Sequence, residues 1–139
     1  VDDYAHHPRE IEATLAAAKG SWPDRRKVVV FQPHRFTRTQ ELLDDFSALL
    51  DDVACLVITE VYAAGEKPIA RADGRALCRS IRARGGTDPV FVSDLRGLKE
   101  ALVPILRDGD VVLTLGAGDI GRAARQLVAP LRLQEGAYG

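Results

Sequence analysis

Three short segments concentrate the side chains able to do chemistry. Asp2-Asp3-Tyr4-Ala5-His6-His7-Pro8 sets two carboxylates, a phenol and two imidazoles just ahead of a predicted helix, where free backbone N–H groups and the helix dipole favour anions. Pro33-His34-Arg35-Phe36-Thr37-Arg38-Thr39 offers two guanidinium groups, an imidazole and two hydroxyls directly after an apolar run. Arginine suits a two-point grip on a carboxylate or phosphate. Cations at a helix start oppose the dipole, which disfavours reading these arginines as merely solvated. Spacing alone leaves the first segment open between a binding cluster and a capping stretch with solvated side chains. Adjacent histidines are not a usual chelating spacing and no cysteine or third histidine is local, so no metal site is expected.

The third segment, Gly116-Ala117-Gly118-Asp119-Ile120-Gly121, formally satisfies the glycine fingerprint of dinucleotide-binding folds. Its context does not fit. That fingerprint belongs to the first strand of its unit, with an acidic residue about 20 positions on at the end of the next strand, whereas here it follows the last predicted strand. A tight strand-to-helix turn is the better reading. The chain has no G-x-x-x-x-G-K-[ST] segment, so the phosphate cradle of a P-loop enzyme is missing, and no Ser or Cys stands in a nucleophile elbow.

Elements must hold these segments in place. Pro8 opens a predicted helix from Arg9 to Lys19, with Ile11, Leu15 and Ala18 on one face and Gly20 placed to end it. Lys27 to Gln32 reads as a central strand through Val28-Val29-Val30-Phe31. Thr39 is expected to cap a helix carrying Leu42, Leu43, Phe46, Leu49 and Leu50, followed by a strand from Val53 to Thr59. Glu60 to Ala72 is predicted as a long loop, and Asp73 to about Arg84 as a helix. Pro89 to Ser93 is a short strand, Leu95 to Leu106 a helix, Val111 to Leu115 a strand and Asp119 to Val128 a last helix. Strands alternating with helices require crossover connections, hence an α/β fold: a Rossmann-like three-layer sandwich with a mostly parallel sheet and helices on both faces. Ligands in such sheets sit beyond the carboxyl ends of the strands, in loops starting here at Gln32, Thr59, Ser93 and Leu115. Residues 1–133 form one expected domain and 134–139 a loose tail.

Composition narrows the function classes. A chain of 139 residues with 46% hydrophobic and 28% charged content can bury a core as one domain. A net charge of -1 gives no long-range pull toward nucleic acid or an anionic membrane. No apolar run approaches the roughly 20 residues needed to span a bilayer, and no secretory signal opens the chain, so a cytoplasmic location is expected. Cys55 and Cys78 read as buried reduced thiols. The chain contains no methionine, so Val1 is not expected to be a translation start and the sequence is expected to be a piece of a longer chain.

Taken together, the three segments and the loop Val61-Tyr62-Ala63-Ala64-Gly65-Glu66 resemble the C-terminal domain of the UDP-N-acetylmuramate:L-alanine ligases, a branch of the Mur ligase family. The resemblance runs from Val1 to about Pro130, and the His34-Arg35 segment separates it from Mur ligases that add other amino acids. It implies part of an enzyme of peptidoglycan synthesis that uses ATP and magnesium to make an acyl phosphate, which the alanine amine attacks. It also implies two partner domains, an N-terminal one for the UDP-sugar and a central P-loop one for ATP, and a C-terminal domain that closes over both and is inactive alone. By motif, Asp3 would meet the ATP ribose and Tyr4 the adenine, while His6 or His7, with His34, Arg35 and Arg38, would surround the alanine end of the substrate. Gly116 to Gly121 is the weakest carry-over.

Two other readings compete. One is a free-standing nucleotide- or anion-binding module, supported only by the Rossmann-like pattern and the glycine turn. The other is a structural or interaction domain whose polar loops are plain surface; the arginines at a strand's carboxyl end weaken it.

Overall fold

The computed structural model describes residues 2–127. The chain runs β1 (Asp2–Asp3), α1 (Pro8–Ser21), β2 (Lys27–Phe31), α2 (Phe36–Glu41), α3 (Leu43–Leu50), β3 (Cys55–Thr59), α4 (Gly74–Ala83), β4 (Val90–Val92), a 3-10 turn (Leu95–Gly97), α5 (Leu98–Leu102) and β5 (Val111–Leu115). A last helix, α6, begins at 120 and continues through 127. The expected tail at 134–139, the domain limit at 133 and the helix end at Val128 lie outside the described residues.

The five strands form one sheet in the order β1-β5-β2-β3-β4, every neighbouring pair parallel. Alternation along β2 divides the core. Val29 and Phe31 face α1, α3 and α4, joining Ile11, Phe46, Leu50, Leu77 and Ile81. Val28 and Val30 face the opposite side with Leu98, Leu102 and Ile120 from α5 and α6. Both faces of β2 are therefore covered, which is why its sequence is a continuous apolar run. The α/β three-layer reading holds.

Several local features differ from the sequence expectations. Strand β1 was not predicted, because two aspartates carry no strand pattern. It forms through pairing of Asp2 with Thr114 and Asp3 with Leu115, and the Thr114 hydroxyl donates to Asp2 at 2.9 Å. The helix expected to be capped by Thr39 instead has Arg35 at its N-cap, begins at Phe36 and breaks at Leu42 (φ -110°, ψ 19°). Thr39 lies buried inside α2 with its hydroxyl donating back to the Arg35 carbonyl at 2.8 Å. The helix expected from Leu95 to Leu106 opens as a 3-10 turn over Leu95–Gly97 and its α-helical part ends at Leu102; Val103 keeps helical backbone, but Pro104 has no N–H to continue the ladder.

Gly20, expected to end the first helix, lies inside it: α1 continues to Ser21 and closes with the Trp22 N–H donating to the Ala18 carbonyl at 2.9 Å. The Asp73 carboxylate accepts from the Ala76 N–H at 2.9 Å and starts α4. The Arg26 guanidinium grips Asp110 through two bonds of 3.0 and 2.6 Å and holds its carboxyl below the usual range, tying the entries of β2 and β5. Burial pushes the Cys78 thiol up to about 11 and raises that of Cys55, which is only half-buried.

Candidate functional site

The sheet order reverses between β2 and β5: the chain leaves β2 toward β3 and β4, then returns to place β5 on the other side of β2. Such a reversal opens a crevice at the carboxyl edge. Four segments meet there: 4–6 after β1, 32–38 after β2, 60–66 after β3 and 116–121 after β5.

Immediately past β2, Gln32 is buried, with 3% of its surface exposed, and links two of these segments. Its amide donates to Asp119 at 2.6 Å and its carbonyl accepts from the Ile120 N–H at 3.2 Å. Beyond it, His34 and Tyr62 form an isolated parallel bridge, with the Arg35 N–H donating to the Tyr62 carbonyl at 2.8 Å and the Tyr62 N–H to the Pro33 carbonyl at 2.9 Å. The loop after β3 is thus stitched to the histidine-arginine segment as a short extension of the sheet.

Four rings follow one another along the edge. Tyr4 meets His6 edge-on at 5.5 Å, His6 meets His34 at 5.5 Å, and His34 stacks on Tyr62 at 5.5 Å with planes 15° apart. Arg38 Nη1 lies 3.3 Å from His34 Nδ1. A guanidinium can only donate, so His34 Nδ1 accepts and the neutral ring carries its proton on Nε2. Burial, then the Arg38 charge, with smaller contributions from His6 and Arg35, holds the His34 imidazole below its ordinary value. Arg35 is exposed at φ 71°, a left-handed conformation rare for a non-glycine residue. That twist turns the chain from β2 into α2.

The structure gathers Tyr4, His6, His34 and Arg38, with Arg35 next to them in the chain. It does not bring in His7, whose exposed backbone starts α1 and donates to Glu10 at 3.1 Å. Asp3 and Tyr4 leave β1 on different sides. Asp3 lines a groove of about 360 Å³ with Thr14 and Trp22, accepting from the Ala5 N–H at 2.9 Å and the Thr14 hydroxyl at 3.0 Å. Tyr4, 70% exposed, lines a hollow of about 260 Å³ with Gly116, Gly118, Arg122 and Arg125. Among the described residues no group of three His, Cys, Asp or Glu side chains is placed to hold a metal ion.

The glycine turn has a packing reason of its own. A Cβ on Gly118 would stand 2.5 Å from the Tyr62 ring and 2.8 Å from the Gln32 carbonyl oxygen, and one on Gly116 would meet Ile120 at 2.7 Å. The turn lacks side chains so that Tyr62, Gln32 and α6 can close on it.

Sequence reasoning did not single out Tyr62, Glu66, Gln32 or Asp119 individually. Gln32 carried a signal, a polar residue ending a run of buried β-branched ones; the others are polar loop residues whose partners are distant in sequence. Tyr62 also lines a cavity of about 300 Å³ with Glu60, Ser93, Asp94 and Asp119 at the ends of β3 and β4.

The family model for the glutamate ligase domain of Mur ligases matches residues 1–118. This chain belongs to the Mur ligase family. The domain is 59% identical over 128 residues, 92% of its length, to the UDP-N-acetylmuramate--L-alanine ligase of Xanthomonas campestris pv. campestris strain B100, and it spans 27% of that relative. The UDP-N-acetylmuramate-alanine ligase of Thermotoga maritima superposes with a TM-score of 0.74 at 31% identity, covering 95% of this chain and 26% of that one. A murein peptide ligase from Psychrobacter arcticus 273-4 shares the fold, with a TM-score of 0.68 at 19% identity over 91% of this chain and 26% of its own. This Mur ligase domain therefore spans about a quarter of the curated relatives it matches.

Proposed function

We propose that this domain serves, within a longer protein, as the closing domain of an ATP-dependent ligase that joins L-alanine to UDP-N-acetylmuramate in cytoplasmic peptidoglycan synthesis. The observation that carries the proposal is the arginine turn at the carboxyl end of the central strand, where His34 and Arg38 are paired beside the ring of His6. L-alanine brings a carboxylate that Arg35 and Arg38 can hold through paired charged hydrogen bonds. His34 keeps a neutral ring whose Nε2–H is a further donor for the substrate. Of the two neighbouring histidines, His6 completes that wall, its ring 5.5 Å from His34, whereas His7 caps α1 away from it. The alanine amine has to be uncharged and aimed at its target, so orientation is the contribution expected of these residues, with no proton transfer and no catalytic residue on this domain alone.

Asp3 and Tyr4 suit the ribose and adenine of ATP. The exposed Tyr4 ring offers a free face for stacking, and each Asp3 oxygen, with one hydrogen bond made, retains a lone pair for a hydroxyl donor. When bound, ATP with its magnesium supplies the phosphoryl group that activates the acid. The sequence has no P-loop motif, and the ATP phosphates and the UDP-sugar are both assigned to the partner domains. Closure of this domain onto them would exclude water and complete the site.

The test is incorporation of labelled L-alanine by the intact ligase and by this domain alone. The intact protein is expected to incorporate alanine only with ATP and UDP-N-acetylmuramate present, and the isolated domain not at all. Tight binding of NAD or ATP by the isolated domain in calorimetry would overturn the closing-domain reading in favour of a free-standing nucleotide module.

A further inference from the structure

The arginine turn is held by a residue that never touches its guanidinium groups. Helix α2 starts at Phe36 from Arg35, and no side chain of the turn itself caps it. The missing acceptor comes from another segment: Glu66 Oε1 accepts from the Thr37 N–H at 3.2 Å, and Glu66 Oε2 accepts from the Thr37 hydroxyl at 2.5 Å. Its delivery depends on a tight turn in which the Glu66 N–H donates to the Ala63 carbonyl at 3.0 Å, with Ala64 at φ 51° and Gly65 at φ 87°. Two successive positive φ values are the mark of a type I′ turn. At the other end of this short loop, the Tyr62 carbonyl holds the Arg35 N–H. The loop therefore clasps the turn on either side of Phe36, at the backbone of Arg35 and at Thr37.

Its carboxylate feels the Arg35 charge, yet among the described residues it makes no ion pair with Arg35 or Arg38. The bonds from Thr37 hold its carboxyl below the usual range. The carboxylate's hydrogen bonds go to backbone and hydroxyl, which leaves the Arg35 guanidinium, and the Arg38 N–H groups not turned to His34, open to an incoming carboxylate.

We infer that Glu66 is a positioning residue: it fixes the left-handed Arg35 turn so that Arg35 and Arg38 face one substrate carboxylate. The inference rests on the reading of that turn as the L-alanine site. It assigns the loop after β3 a part in amino-acid binding without contact to the amino acid.

Steady-state kinetics of the intact ligase carrying Glu66→Ala, Glu66→Gln, Thr37→Val or Arg35→Ala test it. Glu66→Ala is expected to raise KM for L-alanine about tenfold while kcat and the KM values for ATP and UDP-N-acetylmuramate stay within about twofold. Glu66→Gln, which keeps an amide oxygen as acceptor, is expected to recover part of the loss. Thr37→Val is expected to raise KM for L-alanine and to add little when combined with Glu66→Ala, as residues sharing one contact do. If Arg35→Ala raises KM for L-alanine and Glu66→Ala does not, the positioning role is overturned while the substrate site stands. If Arg35→Ala itself leaves it unchanged, the site reading fails. Equal loss for all three substrates with a lowered Tm makes Glu66 structural only and also overturns the inference.

Discussion

His34 and Tyr62 lie face to face, ring centroids 5.5 Å apart and planes 15° from parallel, and the same two residues are paired through their backbones. Tyr62 is backed on another side by Gly118, where a Cβ would stand 2.5 Å from its ring. One aromatic residue thus transmits the position of the glycine turn to the imidazole that Arg38 contacts.

Gly118→Ala tests that relay. The added methyl must push the Tyr62 ring or the Gln32 amide, which costs about 1–3 kcal/mol in a well-packed site. Urea denaturation of the domain is expected to show that loss, and the His34 ring resonances are expected to move in the folded variant. A variant of unchanged stability with unshifted His34 signals would refute the relay.

The lowered His34 value gives a pH dependence. Below its ordinary value of 6.5 the unfolded chain takes up a proton that the folded ring refuses. The unfolded state then binds more protons, so stability rises with pH across the interval from the folded value of His34 up to 6.5. NMR titration is expected to place His34 below 6.5, and His34→Gln should flatten that part of the stability profile. A His34 midpoint above 6.5 would contradict the pairing with Arg38.

Asp3 has structural work whatever else it binds. Its two oxygens hold the Ala5 N–H and the Thr14 hydroxyl, joining the end of β1 to α1. Asp3→Ala is expected to cost the domain roughly 1–2 kcal/mol by thermal or urea unfolding. A rise in KM for ATP in the intact ligase at temperatures where the variant stays folded would support the ribose contact separately. Unaltered ATP kinetics in a folded Asp3→Ala enzyme would remove Asp3 from that role.

Thiol chemistry offers a check on the core. With Cys78 buried and its thiol raised to about 11, almost none is thiolate at neutral pH. Alkylation of the native domain at pH 7.5 should leave Cys78 unmodified and proceed only on unfolding, as mass spectrometry of digested samples would show. Rapid native labelling of Cys78 would mean that α4 does not pack as described.

How much of this was legible beforehand depended on distance along the chain. The apolar runs at Val28 to Phe31 and Val111 to Leu115 announced buried parallel strands, because both sheet faces demand apolar residues there. Strand β1 was invisible, since two aspartates become a strand only by pairing with Thr114 and Leu115. The start of α2 was misread by four residues, Thr39 being expected at the cap where Arg35 stands, because its N-terminal acceptor is Glu66 rather than a local cap. The histidine and arginine segments stood out by composition. Their link through Tyr62 did not, because a ring stack between distant loops leaves no periodic trace.

The most direct measurement is the L-alanine dependence of the intact ligase with Arg35 and Arg38 both replaced by alanine. If these guanidinium groups hold the amino acid's carboxylate, KM for L-alanine should rise by about a hundredfold or more, reflecting the loss of two charge-assisted contacts, while KM for UDP-N-acetylmuramate and the Tm stay close to wild type. A folded double variant with an unchanged L-alanine KM would contradict the account.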